Sequence, residues 1–137
     1  MLDISGGVCI CKNLVDQLNN LEIFQQVRLV LLEKQPSFNP KMRVVEAYLY
    51  SYFVTKNFKV RSVSSKIKLN AVECEIPDKI SKLKSKYSRN KKIGIIQTKL
   101  LLLDQPTEFQ EIFERSKKRD DLADSFLMAV TYLNKQI

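Results

Sequence analysis

The chain contains no histidine, and that absence removes several kinds of chemistry. Ser-His-Asp hydrolysis and histidine general bases are excluded. A zinc site is disfavoured too, because the three cysteines, Cys9, Cys11 and Cys74, supply no second pair. An odd cysteine count without a framework suits a reducing compartment and argues against a disulfide scaffold. Cys9 and Cys11 are expected to share one face of a strand. Long apolar runs are also scarce. The N-terminus lacks a basic region followed by an apolar stretch of leader length. Leu100 to Leu103 is far too short to span a bilayer. No internal repeat and no low-complexity segment is present.

What remains is 137 residues, 45% hydrophobic, with a formal net charge of +8. That length supports one domain with a real core, residues 1–137, but not two. The charge favours a polyanionic partner. It is unevenly spread: residues 56–99 hold 13 basic and 3 acidic residues, a net of +10, leaving −2 for the rest.

Periodicity orders the elements. Ile4 to Ile10 reads as a short strand or hairpin end. Leu14, Val15, Leu18 and Leu21 give helical spacing within residues 13–24. Val27 to Leu32 is a nearly continuous apolar run, as in a buried parallel strand. Gln35 to Pro40 is turn chemistry. Residues 42–53 are helical, 58–63 alternate as a strand, and 64–88 are basic and weakly patterned. Helices are expected over 93–103, 108–113 and about 120–133. Alternation of this kind predicts an α/β layer fold with a largely parallel sheet.

Two acidic signals carry chemistry. Glu33 follows the apolar run, at the strand end where α/β folds place their sites. Its bland alternative is solvation or pairing with Lys34. Near the C-terminus stands Lys117-Lys118-Arg119-Asp120-Asp121-Leu122-Ala123-Asp124. Asp121 and Asp124 are three residues apart and share a helix face. Leu122, Phe126, Ala129, Val130 and Leu133 form the expected core stripe opposite them. Asp120, about 100° from Asp121, is assigned to helix capping. Clustered carboxylates repel unless a cation joins them, so a hard divalent ion is expected. The bland alternative is complementation of the helix dipole.

The basic segment holds Lys84, Lys86, Tyr87, Arg89, Lys91 and Lys92. It is either a solvated loop or a phosphate-contacting surface with Tyr87 able to stack. Lys117 and Lys118 either neutralise a phosphate or offset the neighbouring acids. A cationic surface plus a carboxylate pocket is the layout of a nuclease.

Leu31-Leu32-Glu33-Lys34-Gln35-Pro36 with Asn39 and Lys41-Met42 resembles the glutamate motif of RuvC-like Holliday junction resolvases, in the branch of poxviruses and other large DNA viruses. Lys118 to Phe126 resembles that branch's closing motif, with Asp121 and Asp124 in the paired-aspartate places. Tyr87, Asn90, Lys91 and Lys92, and Ser64-Ser65-Lys66-Ile67-Lys68-Leu69, resemble its basic stretches. The resemblance implies an RNase H-like (RuvC-type) mixed sheet flanked by helices. It also implies a homodimer acting on four-way DNA junctions, with two Mg2+ or Mn2+ ions per site. Glu33, Asp121 and Asp124 would be ligands and Lys118 a phosphate contact. Lys41, Lys66, Lys68, Lys84, Lys86, Tyr87, Arg89, Lys91, Lys92 and Lys117 would meet DNA. The setting implied is intracellular, the host cytoplasm or a virus factory for a viral chain, and no membrane is involved.

Family members open with a strand bearing a first catalytic aspartate, followed by two more strands. Here only about eight residues separate Asp3-Ile4 from the helical pattern near Lys12. Met1 to Ile10 is therefore expected to match the family's third strand or the stretch just after it, leaving the first aspartate and hairpin missing. The alternative is Asp3 as a ligand in a shortened fold. The missing aspartate keeps a second function open, a catalytically inactive DNA-binding remnant.

Overall fold

The computed structural model describes residues 4–136, with side chains described except at 4–8, 69 and 70. Asp3 lies outside the described residues. The chain divides into two compact units, one ending at Ser64 and the other beginning at Ser65.

The first unit runs α1 (Ile4–Asn19), a 3-10 turn (Glu22–Gln26), β1 (Leu29–Glu33), α2 (Pro40–Thr55) and β2 (Lys59–Val63). The strand expected over residues 4–10 is instead the first part of α1. Ile10, Leu14 and Leu18 recur every four residues, and the helical period wins over the short apolar run. Cys9 and Cys11 therefore lie about 200° apart on a helix and share no face.

β1 and β2 pair in parallel with Leu29 opposite Lys59 and Glu33 opposite Val63. Among the described residues β1 has a strand on one side only. Accordingly Leu32 alone is buried in β1, and Leu29 to Leu31 are half-buried. Helix α2 makes the crossover that a parallel pair requires. Pro40 starts it, and the Asn39 side chain accepts the Met42 N–H at 3.3 Å as its cap. Asn57, at φ 63°, turns the chain into β2 in a left-handed conformation that asparagine tolerates. The core joins Leu32, Phe53 and Val60 to Leu18, Phe24, Leu49 and Phe58. Phe53 meets the edges of Phe24 and Phe58 at centroid distances of 5.3 and 5.6 Å.

The second unit contains a 3-10 turn (Ser65–Asn70), α3 (Asp78–Ser81), α4 (Lys86–Leu102), α5 (Thr107–Arg115) and α6 (Arg119–Gln136). Helix α4 packs on α6, and the 3-10 turn packs on both. Leu102, Phe113 and Ala123 are buried together, flanked by Ile95 and Phe126. Gly94 faces α6: a methyl group there would sit at ordinary contact distance, 3.6 Å from the Leu127 side chain.

The buried stripe of α6 differs from the expected one. Ala123, Leu127, Met128 and Thr131 face inward, whereas Leu122 and Leu133 are 40% and 58% exposed. The helix turns this face toward α4, with the Leu127 side chain meeting Gly94. That rotation decides where the acidic residues point.

Candidate functional site

Glu33 is the last residue of β1 and is half-buried. The ladder continues one residue beyond it, with the Lys34 N–H donating to the Val63 carbonyl at 2.8 Å. The Gln35 side-chain amide donates back to the Glu33 carbonyl at 3.2 Å. The next turn, braced by Pro36 and Pro40, holds Phe38 at 86% exposure. Lys41 stands exposed on the first turn of α2. Phe38 is a surface aromatic that pattern reading treats only as part of a turn. Its signal was an apolar residue enclosed by two prolines.

On α6 the inward face carries Asp120 and Asp124, one turn apart and about 40° from each other. Asp121 lies at the margin of that face and is exposed. The grouping expected from sequence is thus changed. Asp121 and Asp124 remain neighbours, but Asp120 and Asp124 are the pair turned toward the rest of the unit. Asp120 is ion-paired with Lys91 of α4. Lys91 also sits 4.8 Å from the ring centroid of Tyr87. Asp124 is ion-paired with Lys68 of the 3-10 turn at 2.7 Å, and both side chains are partly buried.

The electrostatics follow from these contacts. The hydrogen bond from Lys91 holds the Asp120 carboxyl below the usual carboxylate range, and the first-turn amides of α6 act the same way. Reciprocally, Asp120 first and Tyr87 second raise the Lys91 ammonium above the ordinary lysine value. So Asp120 is a charged partner of the basic segment, with dipole complementation added.

Most of the basic residues occupy ordered elements rather than a loop. Lys66 and Lys68 lie on the 3-10 turn. Lys86, Tyr87, Arg89, Lys91 and Lys92 lie on the first two turns of α4, which Ser85 caps by accepting the Ser88 N–H at 3.3 Å. Lys84 precedes that cap. Arg89 is partly committed, donating to the Leu83 carbonyl at 3.2 Å. Tyr87 is 69% exposed. Lys117 and Lys118 precede α6 with exposed side chains, and the Lys118 carbonyl accepts the Leu122 N–H.

Carboxylates and cations that are far apart in sequence therefore adjoin within the second unit. The donor chemistry of Asp121 and Asp124 fits a hard divalent cation, while one Asp124 oxygen is engaged by the Lys68 ammonium. Two carboxylates are an incomplete set. Among the described residues no group of three or more cysteine, aspartate or glutamate side chains is arranged to hold a metal. No helix among them is long and apolar enough to cross a membrane.

Residues 8–136 match the family model described as Poxvirus A22 protein. A relative from Acanthamoeba polyphaga mimivirus, "Uncharacterized protein L451", is 31% identical over 140 residues. That alignment covers 88% of this chain and 33% of the relative, so the chain spans about a third of the length of the curated relative it matches. No solved structure matches.

Proposed function

This chain belongs to the poxvirus A22 protein family, and on that premise we propose that it is a metal-dependent endonuclease that resolves four-way DNA junctions. The observation that carries the reading is the α6 face, where Asp120 and Asp124 meet Lys91 and Lys68. It sets Asp124, a proposed metal ligand, and the neighbouring Asp120 against the lysine-bearing elements whose other cations suit a phosphate backbone. The proposed fold is RNase H-like, the proposed assembly a homodimer, and the proposed setting intracellular in a virus-infected host.

In this reading Glu33, Asp121 and Asp124 hold two Mg2+ or Mn2+ ions. The bound ions would supply activation of a water and stabilisation of the leaving oxygen. The protein's own residues do the rest. Lys118 contacts the scissile phosphate. Lys41, Lys66, Lys84, Lys86, Lys92 and Lys117 follow the backbone, and Arg89 assists in part. Tyr87 presents a ring held by Lys91, and stacks on an unpaired base at the branch. Phe38 adds a second exposed aromatic beside the Glu33 strand end.

The test is incubation of the purified chain with a labelled four-way junction, with and without magnesium. Symmetric magnesium-dependent nicks are expected, and they should vanish in Glu33→Gln and in Asp121→Asn. Cleavage that survives Glu33→Gln would refute this site. A second reading, a junction-binding protein without cleavage, draws on the Lys68–Asp124 pair, in which an ammonium already occupies the carboxylate. It expects salt-dependent binding and no nicks with either metal.

A further inference from the structure

Among the carboxylates of the first unit that the proposed reaction does not use, one has contacts to both strands. Glu46 stands half-buried on α2. One oxygen accepts the Gln35 backbone N–H at 2.8 Å, and the other accepts the Ser62 hydroxyl at 3.3 Å. Ser62 lies in β2 opposite Leu32, and Gln35 lies two residues beyond Glu33. A single side chain of the crossover helix thus fastens the ends of both strands at the point where Glu33 projects. The Gln35 amide returning to the Glu33 carbonyl and the Lys34–Val63 bond tighten the same turn.

We propose that Glu46 is a positioning residue for Glu33, fixing the strand end so that the Glu33 carboxylate keeps one direction toward a divalent cation. The proposal rests on the reading of Glu33 as a metal ligand. The physical argument is entropic and geometric. A residue at a free strand end samples many backbone directions, and each must be given up when its carboxylate coordinates an ion. Glu46 removes that freedom beforehand by satisfying the Gln35 N–H from the protein side. It acts through the backbone and does not touch the ion.

The test is a Mn2+ titration of the 15N-labelled full chain, followed by broadening of the Glu33 amide, together with amide exchange at Gln35. In Glu46→Ala the Gln35 amide should exchange faster, and the Mn2+ concentration that half-broadens Glu33 should rise about tenfold. Gln35→Pro, which deletes the N–H donor together with the side-chain bond to the Glu33 carbonyl and leaves Glu46 in place, should raise it by at least a similar factor. The double variant should raise it by less than the product of the two, since the Gln35 N–H to Glu46 bond is common to both. Glu46→Gln retains a carbonyl acceptor and should stay near wild type. Val60→Ala weakens the core without touching this bond and should leave the midpoint unmoved. An unchanged midpoint in Glu46→Ala, or an equal rise in Val60→Ala, overturns the proposal. A wild-type chain with no broadening at Glu33 overturns the metal reading of Glu33 itself, a result visible before any variant is made.

Discussion

Replacing Gly94 with alanine should stabilise this protein. Gly94 is buried in the middle of α4. Its added methyl would lie 3.6 Å from Leu127 Cδ1 and 4.0 Å from Asp124 Oδ1, both ordinary contact distances. Nothing has to move. Glycine in a helix interior costs about 1 kcal/mol relative to alanine. A buried methyl adds about 0.8 kcal/mol of transfer free energy. Shielding the nearby Asp124 carboxylate from water offsets part of that gain. The net expectation is about 1 kcal/mol, or a rise of about 4 °C in Tm for a chain of this size. Thermal unfolding followed by circular dichroism at neutral pH measures it. Junction binding should be unchanged, since the Lys68–Asp124 pair is untouched. Gly94→Leu should do the reverse, losing about 1–3 kcal/mol as its side chain enters the space of Leu127 and Asp124. A fall in Tm for Gly94→Ala would refute the description of the α4–α6 contact.

Three further outcomes are expected. Asp120 has its pKa lowered on folding, so its stabilising effect is complete above its unfolded value of about 4 and is lost as pH falls through the folded one. Wild-type Tm should therefore fall more steeply between pH 6 and pH 3 than that of Lys91→Met, and identical slopes would count against the pair. Lysines with free heads should differ from committed ones in DNA binding. Replacing Lys84, Lys86 or Lys117 with glutamine should lower the salt slope of junction affinity by about 1 each, and Lys91→Gln by less. Thr98 and Thr131 each bury a hydroxyl without a hydrogen-bond partner among the described residues. Thr131→Val should be neutral or stabilising in a denaturant melt, and a loss above about 1 kcal/mol would show that the hydroxyl is in use.

Local pattern reveals much of the first unit. The apolar run at 27–32, the turn chemistry at 35–40 and the alternation at 58–63 correspond to β1, the braced turn and β2. Their parallel pairing follows from the helix between them. Pattern fails at residues 4–10, where a short apolar run fits either element and the longer helical period decides. It fails again on α6, where the apolar residues with the strongest signal, Leu122 and Leu133, are not the buried ones. Leu127, which meets Gly94 of α4, is buried instead. The acid–base pairing was illegible for a different reason. Lys68 is 56 residues from Asp124 and Lys91 is 29 from Asp120. Only the fold brings such partners together. The contribution of Glu46 was hidden likewise, because a half-buried helical glutamate reads as a surface charge.

Helix α5 is anchored by one apolar side chain and one carboxylate. Phe113 is its one buried residue among those described. Beyond it, Glu114 accepts from Lys99 of α4 at 2.7 Å and from Arg119 of α6 at 3.1 Å. These side chains are nearly half exposed, so added salt screens their attraction while leaving the apolar core of the unit intact. The chain thus has a segment whose local opening responds to ionic strength separately from global unfolding. It carries Arg115, Lys117 and Lys118 at its exit, which are sites for trypsin. One cut there separates the lysine-bearing α4 from the aspartate-bearing α6, so this short connector limits how long the two halves of the acid–base face stay on a single polypeptide.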